Sequence, residues 1–120
     1  MLILPIKSRK DFVNIQRNKD KIHHTPKLIL LIKTTPEKYI EVTFKQRATE
    51  FIRLGITVTK KLDKRAVVRN KVRRRLKEAF RKINPELLKN HTDYQIIAKK
   101  QIVDAEFKEI VNDIVICLKK

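Results

Sequence analysis

Residues 59–82, TKKLDKRAVVRNKVRRRLKEAFRK, decide how the rest of this chain is read. Between Lys60 and Lys82 stand twelve of its 30 Lys and Arg residues, against two acids, Asp63 and Glu78. A disordered basic arm has no apolar spacing. Here Val68, Val72, Leu76, Ala79, Phe80 and Ile83 recur at steps of three and four, which predicts a helix with one buried stripe, ending near Asn84-Pro85. At about 100° per residue those six side chains fall within an arc of about 120°. Asn70, Arg73, Arg74, Lys77 and Arg81 fill about the next 100°, and Lys71, Arg75 and Lys82 lie further round. One face docks while the other offers guanidinium, ammonium and amide groups, the donors that meet phosphate oxygens. Arg69 falls inside the apolar arc, where an unpaired charge is not buried. It must reach past the edge, sit in a first turn of different geometry, or pair with an acid.

Outward from this helix, Phe51 to Thr59 predicts a strand, with Leu54, Ile56 and Val58 on one side and Arg53, Gly55, Thr57 and Thr59 on the other. Gly55 is the only glycine in the chain. In a strand it marks a bulge, a close approach to the backbone or a relief of packing. Tyr39 to Phe44 alternates as a half-exposed strand would, and the apolar run inside Lys27 to Lys33 predicts a strand buried on both faces. Ser8 and Asp11 have capping-box spacing ahead of a short helix from Arg9 to Arg17. Downstream, a helical turn is expected over Glu86 to Asn90 and a buried strand over Tyr94 to Ala98. Asp104 is the expected N-cap of a last helix whose stripe runs Phe107, Ile110, Val111, Ile114, Val115, Leu118. The expected architecture is a single domain over residues 1–120, an α+β sandwich in the order αβββαβα.

The totals bound the function. With 120 residues and 42 % apolar content the chain builds one modest core. A formal charge of +17 repels itself, so it implies a polyanionic partner, nucleic acid first and an anionic membrane surface second. Self-repulsion also predicts that small anions bind and steady the free chain. One cysteine, Cys117, excludes an internal disulfide framework. No window reaches the roughly 18 apolar residues of a spanning helix, and the opening MLILPIKSRK carries its charges after its apolar run, unlike a secretory signal. A cytoplasmic location without membrane attachment is expected.

Chemistry of the chain's own finds no support. Glu106, Glu109 and Asp113 share one face of the last helix, opposite its apolar stripe, and read as a solvated face. Adjacent His23 and His24 point to opposite sides of an extended backbone, which suits neither one metal nor an acid–base couple. No Gly-rich phosphate loop or zinc-ligand spacing occurs. Phe12 reads as a core residue from its helix alone, since single-strand binders usually carry several aromatics.

At Arg69-Asn70-Lys71-Val72-Arg73-Arg74-Arg75-Leu76-Lys77 the sequence resembles the protein subunit of bacterial ribonuclease P, whose hallmark is an Arg-Asn-x-x-basic-Arg-x-x-basic run. Asp11-Phe12, Arg53-Leu54-Gly55-Ile56 and Asp93-Tyr94 through Ala98-Lys99 resemble further family segments, so the likeness covers most of the chain. Residues 34–51 have no counterpart and are expected to form a local hairpin. The resemblance implies an αβββαβα fold with a left-handed crossover through the basic helix. It implies a cofactor for a catalytic RNA that removes the 5′ leader of precursor tRNA by Mg²⁺-dependent hydrolysis, the metal being held mainly by RNA and substrate. By matching position the catalytic-RNA set is Arg69, Asn70, Arg73, Arg74 and Lys77, joined by Arg65 and Arg81 on the same helix. The leader cleft is Phe12 with Lys60 and Lys61, and Gln16 stands where the family often has a second aromatic.

Two other classes share the charge and size. A ribosomal or ribosome-associated RNA-binding protein would carry the same folded basic helix. A DNA-reading helix would mix base-reading polar residues with its cations, whereas this face is nearly all cationic and suits backbone contacts.

Overall fold

A computed structural model describes residues 2–46 and 50–120. The elements run β1 (Leu2–Pro5), α1 (Arg9–Asn18), β2 (Lys21–His24), β3 (Leu28–Thr34), α2 (Glu37–Gln46), β4 (Phe51–Thr57), α3 (Ala66–Arg81), β5 (Thr92–Ala98) and α4 (Phe107–Lys119), with short 3-10 turns at Pro85–Leu87 and Lys100–Ile102. One mixed sheet has the order β1-β4-β5-β3-β2. β4 is parallel to both β1 and β5, and α3 carries the chain across between β4 and β5. β3 lies antiparallel to β5 and to β2.

Strand parity sorts the sheet into two faces. Leu28 and Leu30 of β3, Ile52 and Leu54 of β4, and Tyr94 and Ile96 of β5 pack with Val72, Leu76, Ala79 and Phe80 of α3 and Ile110, Ile114 and Cys117 of α4. Ile29, Leu31 and Ile97 face the other way and meet Phe12 and Ile15 of α1. The apolar run of β3 is thus explained, because helices cover it on both sides. The sandwich agrees with the sequence-based expectation of an α+β domain.

Four local expectations are corrected. Residues 39–44 belong to helix α2, not to a strand or hairpin. Ordinary side chains in a short segment satisfy both periods, and Pro36 starts the helix, its carbonyl accepting from the N–H of Tyr39 and of Ile40. Arg47, Ala48 and Thr49, also inside that expected hairpin, lie outside the described residues. β1 and β2 were not expected. Each has four residues and stands at a sheet edge, so it is defined by its neighbour's register rather than by a pattern of its own. The cap of α4 is Glu106 rather than Asp104, with no side-chain cap bond. At α1, Ser8 caps as expected by accepting from the Lys10 N–H, but Asp11 does not complete the box.

Asp11 turns instead to Arg53, 3.5 Å away. The Arg53 guanidinium is buried in the sheet and forms a two-pronged pair with Asp93 on β5, Nε to Oδ1 at 2.8 Å and Nη2 to Oδ2 at 3.0 Å. The Thr35 hydroxyl donates to the same carboxylate at 2.7 Å, and the ring of Tyr39 from α2 lies under the guanidinium, 4.4 Å from its centroid. One cation therefore ties together β4, β5, α1 and α2. His91, at φ 56°, packs its ring between Phe44 of α2 and Phe51 of β4, both at 5.0 Å.

Gly55 answers a close approach. A Cβ there would stand 2.8 Å from Cζ of Phe12 and nearer still to Cε1. The ring lies directly on the β4 backbone, which only a missing side chain allows.

Two outcomes follow from this packing. Gly55→Ala should cost about 1–3 kcal/mol in urea unfolding, and the cost should fall below about 1 kcal/mol in a Phe12→Ala background, where the collision is gone. Burial pushes the Asp93 carboxyl above the usual aspartate value, against the lowering pull of Thr35 and Arg53. A raised folded value means that this carboxyl's contribution to stability is greatest below the unfolded value of 3.8 and is lost as pH rises through the folded one. Carboxyl-detected NMR should place Asp93 above 3.8 and, in Arg53→Met, higher still; a midpoint below 3.8 would show that the ion pair outweighs burial.

Candidate nucleic-acid interface

Helix α3 presents its cations in two distinct conditions. The first group is tied to main-chain carbonyls. Arg69 places Nη1 3.0 Å from the Asp63 carbonyl and 2.8 Å from that of Lys64, closing the loop that leads into the helix. The residue that fell inside the apolar arc thus reaches back past the first turn and bonds carbonyls, not an acid. Arg73 donates from Nη2 to the Val58 carbonyl at 3.1 Å and from Nη1 to Asn70 Oδ1 at 3.0 Å. Arg75 donates to the Ala105 carbonyl at 2.6 Å, joining α3 to the start of α4. A carbonyl fixes a guanidinium without neutralising it, so these side chains hold the fold and keep their charge.

The second group stands at the surface. Arg74 and Lys77 are exposed and engaged by no partner among the described residues, and Arg81 has only the exposed Glu78 at 3.5 Å. Lys60 and Lys61 are exposed in the turn after β4. Arg65, also exposed, is paired with Asp63, Nη2 to Oδ2 at 3.0 Å. The Arg65 side chain, then its backbone N–H, holds the Asp63 carboxyl down to about 2. The expected fork of Asn70, Arg73, Arg74, Lys77 and Arg81 is therefore one surface, with Asn70 and Arg73 bonded to each other inside it. The apolar stripe begins one turn later than the sequence implies: Val72, Leu76, Ala79 and Phe80 are buried, Val68 only partly, and Val67 is 78 % exposed.

On the opposite face of the sheet, Phe12 is half-buried over Gly55 and Gln16 is exposed on the same helix. Two residues beyond Gly55, Thr57 accepts from Nε2 of the fully buried Gln95 at 3.1 Å. Gln95 Oε1 has no hydrogen-bond partner among the described residues. The sequence put Arg53 on the Gly55 side of its strand but gave Gln95 and Asp93 no place on this face. Their signal was parity, since each falls on the α1 side of its strand. Among the described residues no three His, Cys, Asp or Glu side chains gather in one place. Asp113 departs from the expected solvated face: it is partly buried, 3.8 Å from Lys27. No helix among the described residues is long and apolar enough to cross a membrane.

With that geometry in place, the family model described as Ribonuclease P matches residues 4–120. The chain belongs to the ribonuclease P protein family. The ribonuclease P protein component of Brucella melitensis is 33 % identical over 112 residues, 93 % of this chain and 75 % of that relative. The component of Rickettsia bellii is 37 % identical over 83 residues, 69 % of this chain but only 64 % of its own length. The solved ribonuclease P proteins of Staphylococcus aureus and Thermotoga maritima share the fold, with TM-scores of 0.71 and 0.73, covering 97 % and 96 % of this chain and 94 % of each of theirs, at 24 % and 23 % identity. The bounds of the match enclose residues 34–51. Family membership carries the role of a ribonuclease P protein component, and a ribosomal role is not favoured.

The two groups of cations should separate in stability. Arg69→Ala should destabilise the fold by about 1–3 kcal/mol, through carbonyls left without a charged donor, whereas Arg74→Ala should stay within about 0.5 kcal/mol. Denaturant melts of both variants measure the difference.

Proposed function

We propose that this chain is the protein subunit of ribonuclease P, holding the catalytic RNA on α3 and the 5′ leader of precursor tRNA on the α1 face of the sheet. What supports the first part is the row on α3: arginines oriented by carbonyls, beside Arg74 and Lys77 that no group among the described residues engages. The RNA-binding set is Arg65, Arg69, Asn70, Arg73, Arg74, Lys77 and Arg81. Of these, Arg69 acts mainly by fixing the helix entrance, and Arg65 must exchange Asp63 for phosphate to take part. Phe12, Gln16, Lys60 and Lys61 form the leader set. The leader part is supported by the half-buried ring over Gly55 and by the cations that follow β4.

Hydrolysis in this proposal belongs to the RNA, and Mg²⁺ is held by RNA and substrate. The protein lowers the electrostatic cost of bringing two polyanions together. Small anions steady the free chain by screening α3, and the complex works in the cytoplasm without a membrane.

Reconstitution tests this. Adding the protein to the catalytic RNA at low Mg²⁺ should raise both leader removal and substrate affinity; no change in either overturns the proposal. Arg74→Ala with Lys77→Ala should weaken catalytic-RNA binding and reduce its salt slope by about 0.7–0.9 for each phosphate that is no longer neutralised. Phe12→Ala should weaken binding of precursor tRNA more than that of mature tRNA, and equal weakening would return Phe12 to a packing role.

A further inference from the structure

Beside α3 the sheet is left partly uncovered. β1 is the edge strand, and α3 packs over β4 and β5, so the strip between β1 and the helix forms an open groove of about 410 Å³. That is within the ~300–1,000 Å³ span of small-molecule sites. Ile3, Leu54 and Ile56 give it an apolar floor. Arg73, Lys77 and Arg81 stand along one rim and Lys7 at its end, and no acidic residue among those described lines it. The three helix cations are spaced four residues apart, one roughly every 6 Å along the axis.

β1 leaves its unpaired backbone groups on the open edge of the sheet, facing away from β4. The Leu2 and Ile6 N–H groups donate inward to the carbonyls of Glu50, just before β4, and of Leu54 within it. Alternation then turns the Ile3 N–H and the carbonyls of Ile3 and Pro5 outward, where no strand among the described residues pairs with them. Pro5 is tolerated there because its missing N–H falls on the open edge.

We propose that this groove receives one unstacked nucleotide of RNA. The base lies on Ile3, Leu54 and Ile56, and the flanking phosphates run along Arg73, Lys77 and Arg81. An apolar floor by itself would fit many occupants. A floor bounded by four cations and no acid fits a flat, weakly polar ring joined to anions, and the row is continuous with the surface assigned to RNA above. The proposal rests on that assignment and deepens it: α3 grips a looped or splayed-out base as well as a phosphate backbone. It lies on the other face of the sheet from Phe12 and is separate from the leader set.

The test uses the free 120-residue chain with Ile and Leu methyl groups labelled for NMR, titrated with the dinucleotide ApA and, separately, with inorganic phosphate at equal concentration. Methyls of Ile3, Leu54 and Ile56 should shift saturably with ApA and stay in place with phosphate. Ile3→Trp, which fills the groove and keeps every cation, should weaken ApA binding at least tenfold and leave the salt slope of catalytic-RNA binding unchanged. Methyls that do not move with ApA, or move as far with phosphate, overturn the proposal. So does displacement of ApA by a lower concentration of a Glu-rich tetrapeptide, which would make the groove a site for acidic peptide. Leader removal is scored in a separate assay, so loss of the groove with cleavage intact counts against this inference alone. Methyl shifts without any stimulation of cleavage would leave the nucleotide site standing and sink the ribonuclease P role.

Discussion

The Arg53–Asp93 pair is buried where β4 and β5 begin to pair, and the elements around it meet its need for partners. A guanidinium removed from water costs several kcal/mol unless its donors are met. Asp93 meets two of them from the adjacent strand, Asp11 adds a second carboxylate from α1, and the Tyr39 ring closes the side toward α2. The chain has 13 acidic residues against 30 Lys and Arg. The strongly positive surface follows from that imbalance, and the internal cluster of one cation with Asp11 and Asp93 does nothing to offset it.

A similar division of partners governs α3. Its apolar stripe docks on one face of the sheet, yet three of its arginines also bond main-chain carbonyls at the loop before the helix, at the end of β4 and at the entrance to α4. These bonds fix the side chains and leave the charge intact, so a rigid cationic surface exists in the free chain. Long side chains already ordered in the free protein lose less freedom on binding. Arg74 and Lys77, which no group among the described residues holds, keep the freedom of exposed side chains.

Where sequence reading failed, it did so over short segments. Residues 39–44 alternate like a strand, but as a helix they place Tyr39 and Thr43 inward one turn apart, with Val42 and Phe44 left exposed. Six residues do not separate periods of 2.0 and 3.6, and the partner that decides, Arg53, lies on a different element. β1 and β2 failed for a related reason: an edge strand of four residues owes its form to the strand beside it. Residue roles were harder still. A helical wheel places Arg69, Arg73 and Arg75 relative to the apolar arc but does not reveal which carbonyls come within reach.

The sequence by itself determined the fold class, the basic helix and its docking stripe, the double burial of β3, the strand that carries Gly55 and the family resemblance. These depend on local periodicity, charge and motif, which are written in neighbouring residues. Only the tertiary structure decided that α2 is a helix, that Phe12 is the group Gly55 makes room for, which cations are bonded inward, and that β1 and α3 enclose a groove. Each of these depends on groups far apart in the chain meeting at hydrogen-bond or contact distance, and spacing along a sequence does not encode that distance.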